Sequence, residues 1–568
     1  MRSSPPLGSG NKLKLVEEQF LGILDSKSVA VLLFVVFFAT FYGFRSKTYI
    51  GDGLRHLPVL RTITEHARTV FTPKPWLEAY RSHYDSLVIH NHFLFALVMR
   101  TAFAIQQKLG IAGDAIITMQ AVNALSAAIA GGLFFLLVLR IGVSKWISLA
   151  VTAGVCLSPA YLLAATNVAE AALALPFFVG TLLVLSDCDI LERGAFGAGV
   201  LAGLAALTYL LAGSLVPGIA VTLVASRLSA RSTIRPLLLF LSAFAMVFLG
   251  IWVGVLFQSG LRSPIDLVYA IVRFPAQGTY GGFKLGSLVA TPVGLAEAFF
   301  PVLPDDFRGL RFLYSEQPML AASAAMVSLI ICAFLTRAVY VLFRRGMIRQ
   351  LLFLSSLLTF LAVEAACVEW DPYYQKLQLF GLILFWMIVV AAFANRQNDR
   401  LHKWLLISFV AAVVLSGLGA LRRNVQPSQP RENAERLYSI IGSGTLITAW
   451  SSDVAHLWLY SDGSNIISLP DFVLTRNLQV SRVKKDLDAV IEQNIAEGRK
   501  VYFYGVFDGD DANLSNIYET RYKLIGFVPY LRSLQRKAQP IEYLRQPGDH
   551  LNGLYVYTPQ TEMDYGAQ

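Results

Sequence analysis

Between Ser28 and Leu421 the chain is a nearly unbroken series of apolar stretches separated by short polar links. A helix needs about 20 mostly apolar residues to cross a bilayer, so this series excludes a soluble enzyme, a collagen-like chain and a disordered protein. Only 15% of the residues are charged and the mean hydropathy is +0.54, against about 25% charged in soluble domains. From Arg422 to Gln568 polar residues return and no stretch is long enough to cross again. The fold class expected is a polytopic α-helical membrane protein with a C-terminal soluble α/β domain.

The amino terminus carries Arg2, Lys12, Lys14 and Lys27 ahead of the apolar run Ser28 to Phe44, with no small-residue cleavage site at its end. It reads as an uncleaved signal anchor behind a cytoplasmic segment, residues 1–27. Further runs follow from Ser86, Ala115, Trp146, Ala171, Phe196, Leu237, Met319, Leu351, Leu377 and Trp404. The run Phe196 to Ser226 is too long for one crossing, and Gly213 and Pro217 are expected to break it in two.

Basic residues in short loops stay on the cytoplasmic side. If Ser86 to Ile105 crossed fully, the loops holding Arg140 with Lys145, Arg227 with Arg231 and Arg235, Arg344 with Arg345 and Arg349, and Arg396 with Arg400 and Lys403 would all fall outside. If that run dips into or lies along the outer leaflet, all four become cytoplasmic. Its His90, Asn91, His92 and Arg100 are costly at the centre of a lipid-facing helix, which favours the second arrangement. Eleven spans result for residues 28–421, with a first extracytoplasmic loop at 45–114, a short one around Ser158 to Glu170, a long one at 258–318, and a link from Glu369 to Lys376. The domain at 422–568 is placed on the same side, and Arg422 with Arg423 becomes one local exception to the charge rule.

Chemistry concentrates in the first loop. Five of the eight histidines, His56, His66, His83, His90 and His92, lie there. Between Arg45 and Asp85 seven basic residues face Asp52, Glu65, Glu78 and Asp85. So many outward cations beside a span oppose the charge rule, and an anionic ligand such as a lipid phosphate is a physical reason to keep them. Asp52 stands between two glycines directly after the first span, where a second molecule can approach its carboxylate closely. It reads either as a general base or as an Asp-Gly turn.

The companions also carry two readings. Glu170 is an interfacial residue or helix cap, or a supporting carboxylate at the outer end of a span. His56 orients Asp52 or is a solvated loop residue; Asp85 positions an acceptor or caps the next helix. His90 and His92, two apart, point to different sides of a helix and make a poor metal pair. The Tyr280, Gly281, Gly282 turn beside Lys284 reads as a lid over a phosphate or as a flexible hairpin, in a loop long enough to be functional. Cys156, Cys188, Cys332 and Cys367 show no ligand spacing, so neither a disulfide framework nor a zinc site is supported. The net charge of +10 is spread over interhelical loops, which does not support nucleic-acid binding.

A carboxylate just past the first span (Asp52 in YIGDGLRH), a long first outer loop, Glu170 in SPAYLLAATNVAEAALALPF and WDPYYQKLQLF before the tenth span together resemble the GT-C superfamily of integral-membrane glycosyltransferases. The resemblance covers residues 28–421 and, loosely, the tail. It implies transfer of a sugar from a polyprenyl-phosphate-linked donor to a hydroxyl on a glycan, lipid or protein acceptor, at the extracytoplasmic face of a bacterial inner or plasma membrane. Asp52 would be the base, and Arg55, Lys284, Lys376 and Arg273 are candidates for the donor phosphate. The first loop lacks the Asp-x-Asp of metal-dependent members, so no cofactor is assigned and a divalent metal is not favoured.

Other classes stay open. A lipid or glycan transporter would show repeated halves and broken midplane helices; here the one midspan charge is Glu364. A lipid-linked glycan polymerase or ligase acts on similar donors but is expected to place its main basic loop late. A non-catalytic subunit of a membrane complex is the third.

The tail alternates strand-like runs (GTLITAW, NIISL, KVYFYGVF, LNGLYVYTP) with helical ones such as VKKDLDAVIEQNIAEG, ended by Gly498. It carries no phosphate-cradling or nucleophile motif and is expected to bind the acceptor or pack against the membrane part.

Overall fold

A computed structural model describes residues 25–47, 93–111, 114–186, 191–228, 234–258, 285–301, 314–315, 317–344, 351–369, 375–393, 400–424, 429–449, 457, 465–469, 472–473, 479–515, 518–519, 524–541 and 553–558. The chain begins with α1 (Ser26–Gly43), whose first turn is closed by Asp25 Oδ1 accepting from the Ser28 N–H at 2.7 Å. Then come α2 (Phe93–Lys108), α3 (Ala115–Arg140), α4 (Lys145–Cys156), α5 (Pro159–Thr166), α6 (Glu170–Leu185), α7 (Leu191–Thr208), α8 (Leu215–Leu228), α9 (Arg235–Gln258), α10 (Leu285–Phe299), α11 (Pro318–Arg344), α12 (Leu351–Glu369), α13 (Gln375–Phe393) and α14 (Arg400–Asn424).

Two helices sit at the centre of this bundle. Along α13 every residue from Leu379 to Phe393 is buried, and α3 is buried on most of its circumference. A helix apolar all round must be enclosed by protein or lipid. The outer helices do the reverse: α11 leaves Met319, Leu329 and Phe343 more than 70% exposed, a surface that only a hydrocarbon solvent covers without penalty.

Close approach depends on small residues, as in other lipid-embedded helix pairs. On α7, Gly199 and Gly203 face α9, where a Cβ on Gly203 would meet the Val247 Cβ at 2.9 Å and one on Gly199 would run into the Phe240 carbonyl. On α14, a Cβ at Gly417 would collide with the Leu157 carbonyl, which belongs to the bend between α4 and α5.

Among the described residues, Ser26–Gly43, Ala115–Arg140, Pro318–Arg344 and Lys403–Arg423 are long and apolar enough to cross a bilayer. The α4–α5 pair, bent by 65°, makes a fifth if counted as one span. Seven further apolar helices are shorter.

Three details differ from the sequence reading. The outer loop around Ser158 to Glu170 is mostly helix α5, started by Pro159 at its first position, where a missing N–H costs nothing; only Asn167–Ala169 turns. The long run Phe196 to Ser226 breaks earlier than expected, at Tyr209 in extended conformation, followed by a 3-10 turn Leu210–Ser214. Pro217 lies in the first turn of α8, a position that tolerates proline. The third concerns the long outer loop, which holds a buried helix. Phe299 at the end of α10 packs edge-on against Phe385 at 4.8 Å and against Phe409 at 5.5 Å, near the middle of α13, so α10 penetrates the bundle.

The C-terminal part holds α15 (Gln429–Ile441), β1 (Thr445–Thr448), β2 (Ile466–Ser468), α16 (Val480–Ala496), β3 (Val501–Tyr504), α17 (Asp511–Leu514), α18 (Phe527–Gln535), β4 (Ala538–Ile541) and β5 (Leu554–Tyr557). The sheet order is β2-β1-β3-β5-β4. The β1–β2 and β1–β3 pairs are parallel, with Leu446 opposite Tyr502, whereas β3–β5 and β4–β5 are antiparallel. Fully buried β1 and β3 fit the continuous apolar runs of parallel strands. Gly498, at φ +72°, ends α16. Glu519 closes the start of α18: its carboxylate accepts from the Ser515 hydroxyl and from the Gly526 and Val528 N–H groups, and these bonds, the Ser515 one first, hold it below the ordinary carboxylate range.

Gly417→Ala should lower stability by about 1–3 kcal/mol through overpacking against the bend, while Gly419→Ala, whose Cβ meets nothing within 4 Å, should leave it unchanged. Thermal melts of the two variants in detergent, read by tryptophan fluorescence, make the comparison; equal Tm values would refute this packing.

Candidate functional site

One turn of α3 organises the polar end of the bundle. Gln120 and Asn123 are three apart and therefore share a helix face; both are fully buried. The Gln120 amide donates to the Ser46 carbonyl at 2.8 Å and to the Thr166 carbonyl at 3.2 Å. The Asn123 amide donates to the carbonyls of Asn167 at 2.9 Å and Ala169 at 3.0 Å. The Ser46 N–H donates to Thr166 O at 2.9 Å, joining the chain leaving α1 to the end of α5. Tyr161 on α5 completes the tie, its hydroxyl donating to Ala127 O at 2.6 Å.

These bonds place the first residue of α6. Glu170 is fully buried, so it is enclosed by protein and does not sit on the exposed rim of a span. Its carboxylate stands at a helix N-terminus, whose partial positive charge favours an anion. The site thus joins three things: the point where the first long loop leaves α1, the turn Asn167–Ala169, and a buried carboxylate.

Other helix ends arrive at the same place. Phe380, five residues into α13, stacks on Tyr209 at the end of α7 and packs at 4.8 Å on Phe178, eight residues into α6. The starts of α13 and α6 therefore lie at one end of the bundle, and Lys376 occupies the second position of α13. At this end α2 also packs, burying Phe95, Met99 and Phe103 against Ala115, Ile116 and Met119 in the first turns of α3, together with Val168 and Leu173.

Of the residues singled out from sequence, the structure thus places Glu170 and the backbone of Lys376. Asp52, Arg55, His56, Asp85, Arg273 and Lys284 lie outside the described residues. So do His90 and His92. Among the described residues no group of three His, Cys, Asp or Glu side chains is arranged to hold a metal ion. The sequence reading passed over Gln120 and Asn123. Their signal was present: two amides three apart inside the apolar run IITMQAVNALSAAIAG must have partners if they are buried.

The architecture can be set beside known proteins. No protein-family model matches the chain, and no curated protein matches it. Among solved structures, the crystal structure of ArnT from Cupriavidus metallidurans bound to undecaprenyl phosphate aligns with 94% of this chain and 99% of its own, at a TM-score of 0.53 and 11% identity. The chain has the fold of ArnT. The same protein in its apo state aligns over 93% of this chain and 99% of its own, at a TM-score of 0.44 and 13% identity. The likeness to the first of these structures is one of fold, in a helical chain whose described residues include four helices, or five spans with the bent pair, long and apolar enough to cross a membrane.

Replacing Asn123 by Ala removes one donor from each of two buried carbonyls, which costs about 1–3 kcal/mol; Gln120→Met should do the same at the Ser46 side. Tm in detergent micelles measures both. A wild-type Tm in either variant would mean that these carbonyls find other partners.

Proposed function

We propose that this protein is an inverting glycosyltransferase that moves a sugar from a polyprenyl-phosphate-linked donor to a hydroxyl acceptor on the extracytoplasmic face of the membrane. The observation that carries the reading is the ArnT fold over nearly the whole chain, in a relative whose crystal structure holds undecaprenyl phosphate, together with a buried carboxylate at the end of the bundle where the first loop begins. A lipid donor also gives a transferase a reason to be embedded, since its isoprenoid tail stays in the bilayer and its phosphate sits at the interface.

In this reading Asp52 takes the proton of the acceptor hydroxyl as its oxygen bonds to the sugar C1. The bond from C1 to the phosphate oxygen breaks on the opposite face, as in other inverting transfers. The products are the glycosylated acceptor and polyprenyl phosphate, with the proton left on Asp52. The phosphate needs positive charge where its own charge develops, and Arg55, Lys284, Lys376 and Arg273 are assigned to it; arginine offers a fork, lysine a point charge. Glu170, His56 and Asp85 support the base and the acceptor. Asp52 lies six positions beyond Ser46, at most about 21 Å of chain, which keeps the base within reach of the α6 start.

The long helices, the bent pair and the shorter apolar helices other than α10 make eleven crossings. The 16 residues of α2, about 24 Å of helix, lie along one end and α10 enters and does not cross. The C-terminal sheet and its helices form an extracytoplasmic α/β domain that binds the acceptor or packs on the membrane part.

Purified protein given radiolabelled polyprenyl-phosphate sugars tests the assignment. Asp52→Asn should reduce turnover by roughly 10²- to 10⁴-fold, the usual contribution of a general base, with Tm unchanged; equal turnover removes Asp52 as the base. Sidedness has a separate check. A cysteine at Leu109, just past α2, should react with an impermeant maleimide from outside intact cells, and reaction only after permeabilisation would invert the topology.

A further inference from the structure

The first and last helices of the membrane bundle enclose a groove that the proposed transfer does not use. It measures about 620 Å³ and runs between Val36, Thr40 and Phe44 on α1 and Leu418 and Arg422 on α14, with Leu157 of the α4–α5 bend at its back. Val36, Thr40 and Phe44 are four apart and form one stripe. Phe44 ends α1 and Arg422 lies in the last turn of α14, so the groove is apolar along its length and cationic at the end where Ser46 meets Thr166.

We propose that this groove holds one acyl chain of an anionic glycerophospholipid, with its headgroup phosphate against the Arg422 guanidinium. Charge and walls select this occupant. Among the described residues no acidic side chain lines the groove and Arg422 makes no ion pair. The Thr40 hydroxyl is already committed, donating to the Val36 carbonyl at 2.8 Å, so Arg422 is the one lining side chain left to meet a polar headgroup. A guanidinium with no acceptor beside it suits a phosphate, which only accepts, better than a sugar, whose hydroxyls also need acceptors, and this separates the groove from a site for a sugar-bearing donor. In the topology proposed above, which this step rests on, the same contact accounts for the breach of the charge rule at Arg422: a basic residue retained at the outer end of a span is explained by an anionic lipid beside it, its phosphate held by charge-assisted hydrogen bonds.

Native mass spectrometry of the full chain, purified in detergent and supplied with equal palmitoyl-oleoyl phosphatidylglycerol and phosphatidylcholine, tests this. Wild type should retain phosphatidylglycerol in preference by about fivefold. Arg422→Gln should abolish the preference, whereas Arg423→Gln, which removes the same charge one residue outside the groove, should keep it. Leu418→Trp, which fills the groove, should reduce retention of both lipids. The proposal fails if wild type shows no preference, if Arg423→Gln loses as much as Arg422→Gln, or if Leu418→Trp retains lipid like wild type. Displacement of phosphatidylglycerol by added undecaprenyl phosphate in an Arg422-dependent manner would assign the groove to the carrier lipid and overturn it equally.

Discussion

Inside a bilayer no water serves a backbone group that leaves a helix, so every break in a span must find its partners within the protein. This chain breaks its helices at Phe44–Ser46 and again at Asn167–Ala169, and both breaks are served by the amides of Gln120 and Asn123. The bent α4–α5 pair, the buried start of α6 and the departure point of the first loop all follow from that one turn of α3. Without it, four buried carbonyls would each lose a donor, a desolvation cost that apolar packing around them does not offset.

Around this polar joint the bundle is assembled by steric fit. Lipid tails are as apolar as leucine, so helix association rests on close packing more than on water exclusion. The glycines of α7 and Gly417 of α14 let backbones approach, and the aromatic group of Phe299, Phe385, Trp386 and Phe409 fills the space where α10 ends. The fold that results is shared with ArnT at 11% identity. Such a low identity is compatible with a common architecture because burial and small-residue spacing can be met by many sequences, whereas the chemistry of a site cannot.

That difference governs what was legible beforehand. Hydropathy marked the membrane part and the four strand-like runs of the tail, where β1, β2, β3 and β5 lie, because apolar runs are long-lived signals under either period. The strand Ala538–Ile541 carried too little: AQPI contains a proline, which an edge strand accepts but a pattern search rejects. The helix α10 escaped because LGSLVATPVGLAEAF is short, holds Pro292 and Glu297, and fails a test built for full crossings. Glu170 was visible in the sequence as a carboxylate at the end of an apolar run, but its complete burial depended on contacts across 44 to 74 positions of sequence that no local pattern encodes.

Both amide ties sit on one turn of a single rigid rod, and this gives the joint a mechanical property. Any small rotation or axial slide of α3 carries Ser46 and the Asn167–Ala169 turn along by nearly the same vector. The root of the first loop and the acid that opens α6 are thus geared to one shaft, and thermal motion of the bundle displaces them in common without altering their separation.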